Sequence, residues 1–277
     1  MNYSKLKFLA PLVAAATLMG AASNKPITVK GSDTMVIMAQ RWAEAYMSKH
    51  PGTVIQVTGG GSGTGISALI NGTTDICDAS RPMTAGERAN LKARYATLGV
   101  EIKSAKDGLS VYVNDASPVT ELSLAQLKDI YTGKTTNWKQ VGGPDAKIIV
   151  YGRENNSGTY VYFKDNVLGG ADYMPGMQSM PGTAAVVNAV SKDKFGIGYG
   201  GAAYSKGIKS LAVKKDAGSK GVVPSEATVK DGSYPISRYL FMYTASRPTG
   251  AIKEYIDWIL SPEGQEIVAK FGYFPVR

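Results

Sequence analysis

An α/β fold is what the sequence predicts, and three observations predict it. Short apolar runs alternate with amphipathic stretches of helical period, the pattern of strands feeding helices across a shared sheet. Two of the helical stretches follow directly on loops of glycine and hydroxyl residues, Gly59-Gly60-Gly61-Ser62-Gly63-Thr64-Gly65 and Arg153-Glu154-Asn155-Asn156-Ser157-Gly158-Thr159. The 277 residues, 44% hydrophobic and 19% charged, suffice for one large or two medium globular domains with a sizeable core.

Taken in order, Lys5 and Lys7 precede an apolar run from Phe8 to Met19, and Gly20-Ala21-Ala22-Ser23 offers small residues to a signal peptidase. Residues 1–23 therefore read as a secretory signal peptide. The run holds Pro11 and falls short of the roughly 20 apolar residues of a membrane span. With no cysteine near the cleavage region, the expected product is a periplasmic protein without a lipid anchor.

Residues 27–30 predict a strand. Residues 34–48 predict a helix in which Met35, Met38, Ala39, Trp42 and Tyr46 make one apolar stripe, and such a stripe belongs to a core. Residues 54–58 read as a strand, and 62–71 as a helix that Ile66, Leu69 and Ile70 anchor, so the glycine-rich loop before it is not a flexible linker. Residues 75–79 read as a strand, with Cys77 a buried apolar position and not a reactive thiol. Further strands are expected at 109–113, 148–151, 195–199 and 238–244, and helices at 123–130, 157–167 and 184–190. The glycine- and proline-rich stretch 169–182 reads as a surface loop. Two helices close the chain, 249–260 and 262–271, the second opened by Ser261 as N-cap and Pro262 at the first helical position.

The formal charge is +9 and falls by two, to +7, once Lys5 and Lys7 leave with the signal. The lysines are dispersed and no RNA-binding or zinc-finger pattern occurs, so no nucleic-acid partner is expected. A mild positive field that draws small anions fits better. No metal and no cofactor are expected either. The single histidine, His50, stands at a helix end before Pro51, and no nucleophile elbow surrounds Ser62 or Ser157. The chain is read as a non-enzyme.

Both glycine-hydroxyl loops place free backbone N–H groups and the positive end of a helix dipole at a helix N-terminus, which is the chemistry of an oxyanion cradle. Glycines admit the ligand closely while hydroxyls and an arginine complete its coordination. The Gly59–Gly65 run lacks the G-x-G-x-x-G spacing of a dinucleotide fold, and Gly133-Lys134-Thr135 has Lys128 where a P-loop needs its first glycine. Arg153 with Ser157, Gly158 and Thr159 is the stronger signal, because a guanidinium presents a rigid fork of donors to a tetrahedral anion. Arg81 lies just past a strand end, where open α/β sheets place ligands. Ser32, Asp33 and Thr34 open the first helix in the same way, with Asp33 either a site residue or a plain N-cap.

Gly31-Ser32-Asp33-Thr34-Met35, the Gly60–Gly65 loop, Ala79-Ser80-Arg81-Pro82, Ile130-Tyr131-Thr132-Gly133-Lys134 with Asn137-Trp138, the Arg153–Thr159 loop, and Ser261-Pro262-Glu263-Gly264-Gln265 with Gly272-Tyr273 stand in this order along the chain. Together they resemble the phosphate-binding proteins of bacterial phosphate ABC transporters, over nearly the whole chain after the signal. The resemblance implies a two-lobed periplasmic binding protein type II fold, with two crossing strands near 105–109 and 235–238 and an anion cleft between the lobes. It divides the chain into lobe 1, residues 24–107 with 238–277, and lobe 2, residues 108–237. It implies capture of inorganic phosphate by a monomer and delivery to a membrane permease. The alternatives are sulfate, molybdate or tungstate, or a secreted phosphoester hydrolase. The family's ligand groups fall on Thr34, Ser62, Arg153, Ser157, Gly158 and Thr159, with Ser32, Gly63 and Arg81 added by position. Known members carry an aspartate near Ser80 that accepts the proton of hydrogen phosphate, and some pair the cleft arginine with an aspartate where this chain has Asn155. Asp33 is the nearest carboxylate in sequence to take the proton-accepting role, with Asp78 second, since strand alternation puts it on the face of Ser80 only if no bulge intervenes.

Overall fold

The computed structural model describes residues 25–276, so the expected signal peptide at 1–23 lies outside the described residues. The elements are, in order, β1 (Ile27–Gly31), α1 (Val36–Lys49), β2 (Ile55–Thr58), α2 (Ser62–Asn71), β3 (Ile76–Ala79), α3 (Ala85–Tyr95), β4 (Val100–Val113), β5 (Glu121–Ser123), α4 (Leu124–Tyr131), β6 (Ile149–Arg153), α5 (Gly158–Asn166), β7 (Gln178–Met180), α6 (Thr183–Lys192), β8 (Gly196–Gly201), β9 (Lys209–Lys214), α7 (Glu226–Lys230), β10 (Ser237–Thr244), α8 (Gly250–Ile259) and α9 (Pro262–Lys270). The strands join in the order β2-β1-β3-β10-β4-β8-β6-β7, with β9 also on β4 and β5 on β9.

β4 is the spine. Its first part pairs antiparallel with β10, from Val100↔Thr244 to Gly108↔Ser237, and its second part pairs with β8 and β9. The register slips once, between Leu240 and Phe241, where Ser104 is the unpaired residue of a bulge. The two largest cores among the described residues flank this spine. One is built from residues on either side of it, Ile27, Met38, Trp42, Ile76 and Ala105 with Leu240, Tyr255 and Val268. The other lies wholly between the crossings, from Leu109 to Ile236, around Tyr131, Phe163 and Tyr199. Two α/β lobes joined by two strands are the result.

The apolar stripe of α1 is buried as expected, Trp42 only 1% exposed, and its indole N–H donates to Gly264 O at 2.8 Å, which ties α1 to α9. α1 begins at Val36 and not at Thr34: Ser32 N–H is held by Asp78 O at 2.9 Å, and residues 33–35 form a turn closed by Met35 N–H on Ser32 O at 3.0 Å. The stretch 169–182 is not loop throughout: β7 pairs in parallel with β6. α3 was not expected, although Thr84 and Glu87 form a complete capping box at its start. The parallel strands β1, β3 and β6 end at Gly31, Ala79 and Arg153, and the loops that follow all open at the junction of the lobes.

Asp78, on β3, is buried, and its Oδ1 has no hydrogen-bond partner. Burial pushes its carboxyl up from 3.8 to about 7. Between those two values the folded state binds more protons than the unfolded chain, so this group's contribution to stability is complete below about pH 4 and is lost as pH rises through 7. Asp78→Asn, which cannot ionise, should match wild type near pH 4 and melt at higher temperature at pH 8. Melting curves across that range decide the matter, and parallel pH profiles for the two proteins would refute it.

Candidate functional site

Five hydroxyl residues from both lobes converge between the loop ends. Thr34, before α1, puts Oγ1 2.8 Å from Thr159 Oγ1 at the start of α5. Thr159 Oγ1 lies 3.5 Å from Ser80 Oγ, past the end of β3, and Ser80 Oγ lies 3.4 Å from Ser62 Oγ at the first position of α2. Ser157 is the N-cap of α5, its Oγ accepting from Thr159 N at 3.2 Å and Tyr160 N at 3.4 Å. All five are buried. Two helix N-termini, those of α2 and α5, thus open on one cluster of hydroxyls, and their dipoles favour negative charge there.

Glycine is required where the lobes touch. A Cβ on Gly158 would fall 2.3 Å from Ser62 Oγ and 2.7 Å from Ser80 Oγ. Gly61 has φ +90°, and a Cβ there would meet Asn156 O at 2.8 Å. Asn156 itself bridges the lobes, donating from Nδ2 to Gly60 O at 3.1 Å and to Thr64 Oγ1 at 3.2 Å.

Arg153 ends β6 with its side chain 2% exposed. Nη2 donates to Asp33 Oδ2 at 2.6 Å and Nη1 to Thr183 Oγ1 at 2.9 Å, while Nε is buried with no partner. Burial pulls the guanidinium below its usual range, opposed by the charge of Asp33. Asp33 is therefore no N-cap: Oδ1 accepts from Gly60 N at 2.7 Å and Oδ2 from Arg153, across the lobe boundary. The arginine's carboxylate comes from the opposite lobe, and Asn155 in its own loop is exposed.

Of the other expected site residues, Ser32 is buried beside the cluster, its N–H spent on Asp78 O. Gly63 donates its N–H to Asn156 O at 2.9 Å, so that donor seals the lobe junction and is not free for a ligand. Arg81 points away. Its guanidinium is gripped by Glu87 at 2.6 Å and 2.8 Å and by Pro82 O at 2.9 Å, which makes it the anchor of the α3 capping box and corrects its expected place in the cradle. The residues not foreseen are Ser80 as part of the cluster, Asn156, Thr183, Tyr204, whose hydroxyl donates to Asp33 O at 2.7 Å, and the buried pair Asp107–Arg238. Among the described residues no group of three His, Cys, Asp or Glu is placed to hold a metal, and no helix is long and apolar enough to cross a membrane.

Two α/β lobes on crossing strands, with helix N-termini facing each other over buried hydroxyls, define a binding protein of the periplasmic type, and residues 16–263 match the PBP superfamily domain. Among sequence relatives, the phosphate-binding protein PstS of Pseudomonas aeruginosa is 32% identical over 263 residues, covering 89% of this chain and 81% of the relative. PstS of Bacillus subtilis is 34% identical over 251 residues, covering 90% and 80%. The chain belongs to the PstS family of phosphate-binding proteins. Among solved structures, a putative phosphate ABC transporter substrate-binding protein from Clostridium perfringens, with bound phosphate, superposes with a TM-score of 0.83 at 31% identity, over 91% of this chain and all of that one. These proteins are substrate-binding components and not an enzyme family.

Proposed function

We propose that the protein captures inorganic phosphate between its lobes, 24–107 with 238–277 against 108–237, and delivers it to the permease of an ABC transporter. The observation that carries this reading is the convergence, from both lobes, of buried hydroxyls, two helix N-termini and one buried guanidinium with an unpartnered Nε. The ligands are Thr34, Ser62, Arg153, Ser157, Gly158 and Thr159, with Ser80 added. The protein works in the periplasm as a monomer, and binds without chemistry. Calorimetric titration of the ligand-stripped protein with phosphate and with sulfate tests the reading, alongside an assay for chromogenic phosphoester turnover. Tight phosphate binding without turnover is expected; preference for sulfate, or turnover, refutes it.

Selectivity rests on Asp33. Ser62 Oγ accepts from Ser80 N at 3.0 Å and Ser157 Oγ accepts from two backbone N–H groups, so the hydroxyl protons of both are left to donate. Such donors suit bare oxygens and not the proton of hydrogen phosphate. Each carboxylate oxygen of Asp33 has one donor and keeps a lone pair for that proton. Sulfate, with no proton, would face the same carboxylate with unrelieved repulsion. Asp33→Asn should let sulfate compete within about 10-fold of phosphate, while phosphate affinity falls moderately. If the variant still excludes sulfate in competition titrations, the acceptor is another group.

A further inference from the structure

Arg238 and Asp107 face each other in register on the two crossing strands. Asp107 is fully buried and Arg238 nearly so. Arg238 Nε and Nη2 donate to Asp107 Oδ2 at 3.1 Å and 2.9 Å, and Asp107 Oδ1 accepts from Ala202 N at 3.1 Å. The guanidinium then reaches past its partner in two directions. Nη1 donates to Ser80 O of lobe 1 at 2.9 Å, and Nη2 donates to Thr159 Oγ1 of lobe 2 at 3.0 Å. Its plane is supported by the Tyr162 ring, 5.2 Å from Cζ, and Tyr162 is itself fixed by its hydroxyl on Ser237 O at 2.7 Å.

We propose that Arg238 is a positioning residue of the anion cradle: it occupies a lone pair of Thr159 Oγ1, so that the Thr159 hydroxyl donates to the anion, and it does so only where both lobes are in contact with it. The proposal rests on the phosphate reading above. A guanidinium has donors and no acceptor, so the contact at 3.0 Å has one sense: Thr159 accepts. One lone pair and the single proton remain on that oxygen; with the second lone pair accepting from Thr34 Oγ1 at 2.8 Å, both acceptor sites are filled and the proton is left for the anion. Without Arg238 a lone pair is open, and Thr159 is free to turn its proton to Thr34 or Ser80, its neighbours at 2.8 Å and 3.5 Å, and away from the anion. Because the same guanidinium holds Ser80 O, the donor setting of Thr159 is linked to the approach of the two lobes.

A double-mutant cycle on the full chain separates this role from support of the hinge. Wild type, Arg238→Gln, Thr159→Val and the double variant are titrated with inorganic phosphate, and each is melted without phosphate. Each single substitution should weaken binding about 10-fold, and Arg238→Gln should cost less than about 2-fold once Thr159 is valine. Losses that multiply in the double variant overturn the proposal and leave Arg238 a structural residue. If Arg238→Gln does not fold, Arg238→Lys takes its place: it keeps the charge opposite Asp107 but cannot span Ser80 O and Thr159 together, and wild-type affinity in that variant likewise overturns the proposal. Failure of the wild type itself to bind phosphate would sink the phosphate reading and this proposal with it, whereas a multiplicative cycle on a binding wild type sinks this proposal alone.

Discussion

Arg153→Ala should weaken phosphate binding by about 100-fold or more, and Lys134→Ala by less than about 2-fold. The difference follows from burial. The Arg153 side chain is 2% exposed, so its bonds to an anion form out of water, where charge-assisted hydrogen bonds are strong. Its removal also strands Asp33, which would keep a negative charge next to the incoming anion and lose its bond at 2.6 Å. Breaking a buried pair on one side costs roughly 3–5 kcal/mol. Lys134, by contrast, is 71% exposed and lies 3.7 Å from Asp129, a surface pair screened by solvent. Titration of both variants against wild type measures the ratio. Equal losses would mean that a diffuse positive field, and not the cradle, holds the anion.

Local rules reached the elements whose structure is locally determined. The helix at 62–71 was legible from Ile66 and Leu69 at helical spacing behind a glycine-rich turn, and the start of α9 from Ser261 and Pro262. The fold class followed from such alternation. The first part of β4 was not legible, because Val100 to Asp107 interleaves four charged residues with apolar ones and no turn marks its limits. It is a strand because β10 pairs with it, 135 residues away at Ala105–Leu240, a contact no window of sequence contains; Lys103 and Lys106 are accommodated by lying over the Tyr239 ring, 4.3 Å and 5.3 Å from its centroid. The site divides in the same way. Ser157, Gly158 and Thr159 come together through the start of one helix, and their loop announced them. Arg238 and Asp107 are 131 residues apart, and an arginine at the head of an apolar strand gave no sign of its partner. Arg81 misled for a local reason that was legible: Glu87, six residues on, belongs to a capping box that also takes the guanidinium.

Gly158→Ala should reduce phosphate affinity by about 10- to 100-fold without lowering the melting temperature of the phosphate-free protein. Gly158 is the first residue of α5, and alanine is the better helix former by roughly 1 kcal/mol, so lobe 2 alone gains from the change. The penalty falls elsewhere. The new methyl group would stand 2.3 Å from Ser62 Oγ, 2.7 Å from Ser80 Oγ and 3.0 Å from Ser62 Cβ, all on the opposite lobe. Neither serine can turn aside freely: Ser62 Oγ is held by Ser80 N, and both are buried. Relief therefore comes from the lobes moving apart at the point where Thr34 and Thr159 must meet. Gly86→Ala in α3 is the control, since a methyl group there meets nothing within 4 Å, and it should leave affinity unchanged. Titration and small-angle scattering with saturating phosphate report the two consequences together, weaker binding and a less compact particle. Wild-type affinity in Gly158→Ala would show that the contact of the two helix starts is not where the lobes close on the anion, and that the hydroxyls of one lobe are enough to hold it.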